Sequence, residues 1–212
     1  MQRFVKKKIR EKMSLRLEII LADIEFYDLM NDFTYRNACR FVEFYNRHSP
    51  YFKDVCFTYG SYKFVIIFTD EDWVIKFNFV GDVDGCEREL ICFNEAVSEG
   101  CHQFFCQCDV LPQIFGNTPY IMKKALIDPY RCDDYLSSSL EEEGFSDEEI
   151  SIYATNDEYE TNLVTSVFST YFSHDEVLRL LTFINIMGIN DIHDENIGYI
   201  DERPFIIDYA GV

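Results

Sequence analysis

Two aspartates and an asparagine near the end of the chain have the types and spacing to handle a metal-bound phosphate. Asp191 is followed five residues later by Asn196, within Ile189-Asn-Asp-Ile-His-Asp-Glu-Asn196. A second aspartate, Asp208, follows the apolar run Phe205-Ile-Ile207 and precedes Tyr209-Ala-Gly211. Transfer of a phosphoryl group from a metal-bound nucleotide uses such a set. One carboxylate orients or deprotonates the accepting hydroxyl, and an amide and a second carboxylate hold Mg2+. The spacing puts Asp191 and Asn196 at opposite ends of one short loop. Tyr199-Ile200 and Phe205 to Ile207 read as a hairpin around Asp201-Glu-Arg-Pro204, which returns Asp208 to that loop.

A helix must deliver the chain to Asp191. Ser173-His-Asp-Glu176 has capping-box spacing, and Val177, Leu180, Leu181, Ile184 and Met187 recur at helical spacing up to Gly188. Further upstream the period is two. Val55 to Tyr59, Tyr62 to Phe68 and Trp73 to Phe79 are aromatic and β-branched runs of strand length. Thr69-Asp-Glu-Asp72 separates the last two, so they form an antiparallel hairpin. On its second arm Val74, Lys76 and Asn78 share one face, and Trp73, Ile75, Phe77 and Phe79 share the other. Gly81-Asp-Val-Asp-Gly85 reads as a loop, Glu87 to Glu99 as a helix closed by Gly100, and Val110-Leu111 and Tyr120-Ile-Met122 as short strands.

Residues 1 to about 48 read as helical, with Asp32 as the cap of a stretch from Thr34 to Tyr45 and a break at Ser49-Pro50. Residues 128 to 160 are acidic with little apolar periodicity, which predicts a short helix plus a mobile insertion. The sequence divides into an N-terminal helical extension (1–50), a sheet with one helix (51–125) and a helical remainder carrying the loop and hairpin (126–212). That order predicts an α+β fold, an antiparallel sheet lobe beside a helical lobe.

Composition narrows the function classes. With 38 acidic against 19 basic residues the net charge is -19, which disfavours nucleic-acid partners. No apolar stretch reaches membrane-span length, and the basic cluster Lys6-Lys7-Lys8 lacks the flanks of a signal peptide. The eight cysteines therefore read as reduced thiols of a cytoplasmic protein. Cys101-His102-Gln-Phe-Phe-Cys106-Gln-Cys108 has the ligand types for zinc. Free, buried thiols are the favoured reading, because no second matching ligand pair follows.

In Asp191-Ile-His193-Asp-Glu-Asn196 and Asp208-Tyr-Ala-Gly211 the chain resembles the protein-kinase-like superfamily. The loop is closer to the Asp-Leu-His-x-x-Asn of aminoglycoside- and choline-type small-molecule kinases than to the His-Arg-Asp loop of protein kinases. The resemblance covers roughly residues 55 to 212 and suggests a minimal member of bacterial or phage type, shortened at its C-terminus. It implies Asp191 as base, Asn196 and Asp208 as Mg2+ ligands, and ATP as phosphoryl donor. His193 reads as a packing or hydrogen-bonding residue of the loop. Val74-Ile-Lys76-Phe77 resembles the Val-Ala-Ile-Lys strand, which implies that Lys76 contacts phosphates and pairs with a glutamate on the next helix. Glu87, Glu89 and Glu95 are the candidates; Glu89 is preferred because it shares a face with Phe93 and Ala96. Thr58-Tyr-Gly60-Ser-Tyr-Lys63 stands where the family has a three-glycine loop, and only Gly60 remains, either near phosphates or in a plain turn. Tyr120-Ile-Met122-Lys-Lys124-Ala125 takes the place of the interlobe strand whose backbone holds adenine, making Met122 and Lys124 nucleotide contacts by order along the chain.

The expected activity is ATP- and Mg2+-dependent phosphoryl transfer to a small molecule, a protein or the chain itself. Only Val212 follows Gly211, so the helices on which relatives build the acceptor site are expected to be missing or supplied by a partner. The alternative is a pseudokinase, a nucleotide-binding or protein-interaction module without turnover.

Overall fold

A computed structural model describes residues 5–48, 54–60, 63–79, 84–128, 146 and 158–209. The Ser49-Pro50 break, Tyr62, the first three residues of the expected loop (81–83), nearly all of the acidic insertion, and Ala210 to Val212 lie outside the described residues. The fold is α+β and divides into two compact units. The first comprises 1–90 and 107–124, the second 91–106 and 125–212. The boundary expected after residue 125 falls after 124, and the N-terminal helices share a unit with the sheet.

The first unit is built on a five-stranded antiparallel sheet in the order β1-β2-β3-β5-β4. Its strands are β1 (Val55–Tyr59), β2 (Lys63–Phe68), β3 (Trp73–Asn78), β4 (Cys108–Val110) and β5 (Tyr120–Lys123). Cross-strand partners Val65 and Lys76, then Lys76 and Tyr120, fix the register. Because side chains alternate, Phe64, Ile66, Phe68, Trp73, Ile75 and Phe77 project from one face. That face packs against three N-terminal helices: α1 (Lys7–Leu21), α2 (Ile24–Asn31) and α3 (Tyr35–His48).

Met13, Leu17 and Ile20 make the buried stripe of α1, at spacings of four and three. Phe26 on α2 meets Phe41 of α3 and Phe57 and Phe64 of the sheet at centroid distances of 5.6, 5.9 and 6.2 Å. Polar residues of α1 fix its position along the sheet. Arg16 Nη1 lies 2.6 Å from Asp70 and 2.7 Å from Glu71 in the β2–β3 turn, and its guanidinium covers the Phe68 ring at 4.6 Å. Lys12 Nζ reaches Glu71 at 2.6 Å, and Arg10 approaches the buried Asp109 of β4 at 3.6 Å. The cations of the first helix that engage the sheet are thus Arg10, Lys12 and Arg16, while Lys6, Lys7 and Lys8 are exposed. The cap of α3 is Thr34, not Asp32: Thr34 Oγ1 accepts the Asn37 N–H at 3.4 Å, while the Asp32 carboxylate takes the Asn37 side-chain amide at 2.8 Å. Both residue types cap well, and the helix starts two residues later than an Asp32 cap requires.

The helix after β3, α4 (Asp84–Ser98), begins three residues before the expected Glu87, so Asp84 and Gly85 are helical. The first unit includes it through Leu90, and the second from Ile91.

The second unit holds α5 (Glu158–Ser169), α6 (His174–Met187) and an antiparallel sheet of β6 (Leu126–Ile127), β7 (Ile197–Ile200) and β8 (Arg203–Ile206), in that order. The expected hairpin is present, and its two-residue turn has Asp201 and Glu202 at φ 50° and 66°. Paired positive φ values match the right-handed twist of the flanking strands. Gly198 in β7 is required by close approach, since a Cβ there would lie 2.6 Å from that of Ala125 and 3.0 Å from Ile207 Cγ2. Neither α5 nor β6 is among the elements expected from the sequence; the apolar positions of α5, Leu163, Val164, Val167 and Phe168, follow directly on the acidic run.

If the N-terminal helices are part of the sheet unit's core, Leu17→Ala should destabilise it by about 2–5 kcal/mol, as for other buried leucines. Urea unfolding followed by circular dichroism measures this, and a change below about 0.5 kcal/mol would show α1 to be a dispensable appendage.

Candidate functional site

The Asp191 loop of the second unit is held by its backbone. α6 ends at Gly188 in left-handed geometry (φ 61°), and Asp191 repeats that conformation at φ 69°. A non-glycine residue there is strained by roughly 1–2 kcal/mol, so the surroundings must impose it. Glu160 of α5 does so from one side, accepting the N–H groups of Asp191 and Ile192 on Oε1 at 2.6 and 3.1 Å. Asn196 does so from the other, donating Nδ2 to the Asp191 carbonyl at 2.7 Å. The main chain of Asp191 is therefore fixed at both its N–H and its C=O, while its side chain is exposed to solvent.

The same bond orients Asn196. A carbonyl partner demands the amide nitrogen, which leaves Oδ1 as the oxygen to offer a hard cation. Asn196 carbonyl also accepts the Ile207 N–H at 2.9 Å, continuing the β7–β8 ladder, and Asp208 is the next residue. The hairpin thus brings the half-buried Asp208 beside Asn196, as its sequence position implied. Tyr209 is buried, donates its hydroxyl to the Cys106 carbonyl at 2.9 Å, and stands edge-on to Phe105 at 5.2 Å. An amide oxygen and a carboxylate are suitable Mg2+ ligands, with water and phosphate completing the shell. His193 Nδ1 lies 3.7 Å from Asp194, a contact within the loop.

In the first unit the remaining candidates lie on the sheet face opposite the N-terminal helices. Lys63, Lys76 and Asn78 project from it with Tyr120 and Met122, and all five are buried. Glu89, the α4 residue preferred from the sequence, is fully buried, whereas Glu87 is exposed. Lys76 Nζ is 3.8 Å from Glu89 Oε1, too long for a hydrogen bond. Lys63 is closer, donating to the same oxygen at 2.8 Å, and the Tyr120 hydroxyl donates to Oε2. The family resemblance puts Lys63 in the position of the glycine loop. It opens β2 instead, and two-residue alternation puts it on the Lys76 face.

Gly60 donates its N–H to the Lys63 carbonyl at 2.8 Å, so that amide closes the β1–β2 turn. Met122 is buried between Val74 and Cys108 by register. Lys124 donates its ammonium to the Phe68 carbonyl at 2.9 Å and its N–H to the Asp72 carbonyl at 2.7 Å. It serves the β2–β3 turn, because β5 runs alongside β3 and ends next to those carbonyls. Cys101, Cys106 and Cys108 are buried and in no disulfide, burial pushes the Cys101 thiol up, and His102 is exposed. Among the described residues no three His, Cys, Asp or Glu side chains converge as metal ligands, and no helix is long and apolar enough to cross a membrane.

Sequence reading missed Glu160 and Lys63. Glu160 sits in an acidic run that resembles solvated surface, and only its tertiary partners distinguish it. No protein-family model matches this chain, and neither does any curated protein.

Glu160→Gln should weaken the clamp by about 1.5–3 kcal/mol, since it replaces bonds to a charged acceptor. Hydrogen exchange at the Asp191 and Ile192 amides measures this, and unchanged protection would remove Glu160 from the loop's support. Upstream, the Glu176 carboxylate accepts both the Ser173 N–H at 2.9 Å and its hydroxyl at 2.7 Å, which holds it below the usual carboxylate range. A carboxyl depressed on folding stabilises above its ordinary pKa, and that stabilisation is lost as pH falls through the lowered value. Protection of the first-turn amides of α6 should therefore decline on acidification in wild type but not in Glu176→Gln. Parallel pH profiles for the two proteins would contradict this.

Proposed function

We propose that this chain is an ATP- and Mg2+-dependent phosphotransferase of the protein-kinase-like type. The observation that carries the reading is the Asp191–Asn196 loop. Its backbone is clamped, Asp191 is exposed, the amide nitrogen of Asn196 is committed to the Asp191 carbonyl, and the Asn196 main chain pairs with Ile207, the residue before Asp208. In this reading Asp191 orients or deprotonates the acceptor hydroxyl, and Asn196 and Asp208 hold Mg2+, which neutralises charge on the phosphates. Lys76, 3.8 Å from Glu89, receives the α- and β-phosphates. Preorganisation is the physical advantage: a carboxylate on a fixed backbone needs little reorganisation in the transition state.

A second reading, a nucleotide-binding module without turnover, draws support from the β1–β2 turn. The Gly60 N–H is engaged within the turn and is not offered to phosphates. Nucleotide affinity would then depend more heavily on lysine and Mg2+, particularly in a chain of net charge -19.

ATP with Mg2+ should raise the melting temperature, ATP alone should do so far less, and Asp208→Ala should abolish the difference. Absence of any shift at millimolar nucleotide would sink both readings. If binding is present, phosphate release and autophosphorylation separate them. Asp191→Ala should lower turnover by about a hundredfold or more while leaving ATP binding intact. Turnover indifferent to Asp191→Ala would remove its assigned role, and no turnover in wild type with any acceptor class would leave the binding module.

A further inference from the structure

The sheet face that carries Lys76 holds a group the phosphotransferase reading does not use. Asn78 lies two residues beyond Lys76 on the same face, directly across the strand pair from Lys63. The residue is 4% exposed, and neither Nδ2 nor Oδ1 has a hydrogen-bond partner among the described residues. A buried amide left without partners is destabilising, so a fold that needed only packing here would place a leucine or valine. Asn78 is held in place by its main chain, whose carbonyl accepts Asn117 Nδ2 at 2.9 Å.

Glu89 has two lysines within reach and does not treat them alike. Its Oε1 receives a hydrogen bond from Lys63 at 2.8 Å, Oε2 receives one from Tyr120, and Lys76 stands at 3.8 Å. Lys76 and Asn78 are about 7 Å apart along the strand, a span that a phosphate group can bridge with two of its oxygens. Two ammonium groups and an amide on one inner face form a local donor surface in a strongly acidic protein.

We propose that Asn78 is a ligand-binding residue, its amide and the Lys76 ammonium together receiving one phosphate group, while Lys63 is the cation hydrogen-bonded to Glu89. Lys63 is then a positioning residue. Its hydrogen bond draws on the Glu89 charge and so weakens the competition of that carboxylate with the phosphate for Lys76. The proposal rests on the polyphosphate-binding reading above, and it names which residues of this face take the anion.

Inorganic tripolyphosphate and ATP, each with Mg2+, are the probes, with affinities from calorimetry on the full chain. Asn78→Leu should raise the melting temperature of the ligand-free protein, because an orphaned amide is replaced by apolar volume. It should also weaken both probes by about tenfold to a hundredfold. Lys63→Met should weaken both through capture of Lys76 by Glu89, and adding Glu89→Gln to Lys63→Met should recover part of the loss. A purely structural role for Lys63 gives no such recovery. ATP binding with wild-type affinity in Asn78→Leu and Lys63→Met overturns this inference and leaves the phosphotransferase reading standing. A lower melting temperature for ligand-free Asn78→Leu overturns it too, since the amide would then have a partner in the fold. Asn78-dependent binding of tripolyphosphate without binding of ATP supports the subsite and overturns the nucleotide reading. Failure of wild type to bind either probe overturns both.

Discussion

A carboxylate with no solvent exposure is tolerable only when its oxygens are satisfied, and Glu89 is in that position at the first unit's inner sheet face. Lys63, Tyr120 and Lys76 surround it, drawn from β2, β5 and β3 respectively. Each strand must present its polar residue on the same face and in register, so one unsatisfied oxygen penalises any slip of the hairpin. The opposite face imposes the complementary constraint. Helices α1, α2 and α3 cover it with aromatic and aliphatic side chains, so all six residues of β3 are buried, three against apolar partners and three on the polar side. The central strand thereby holds a lysine and an asparagine where most sheets would place valine.

The second unit achieves order at its loop by another route. There two polar residues hold main chain. Glu160 and Asn196 bind the N–H and C=O groups on either side of the Asp191 side chain. A loop fixed in this way keeps a strained backbone while Asp191 remains exposed to solvent. Tyr209 plays a comparable part after the hairpin, anchoring the chain beyond Asp208 through a buried hydroxyl.

Local pattern carried much of this into the sequence. The β2–β3 hairpin was legible because alternation and an acidic turn leave a period-two trace, and α6 because Ser173, Glu176 and Gly188 mark its ends. Asp191, Asn196 and Asp208 stood out by type and order, and the loop and hairpin expected around them are present. Partners distant in sequence left no such trace. Lys63 and Glu89 are 26 residues apart, and Glu160 and Asp191 are 31 apart. Neither pairing changes the periodicity of its own segment. Lys124, expected by order along the chain to contact a ligand, binds the carbonyls of Phe68 and Asp72, partners that order alone does not reveal. The Thr34 cap shows that two nearby candidates of equal propensity are separated only by where the backbone turns.

Gly198 gives the loop's neighbourhood an unusual mutational character. Ala125 and Ile207 approach its Cα so closely that even a methyl group has no room. Two residues away, Asn196 cannot change without losing the bond that sets Asp191. A survey of tolerated substitutions would mark both positions as equally restricted, for unrelated causes: one is a matter of volume, the other of donor chemistry. The volume constraint also couples β6 to the hairpin. A larger residue at 125 finds no relief at position 198, which already holds the smallest residue there is. This corner of the unit is therefore constrained as a set.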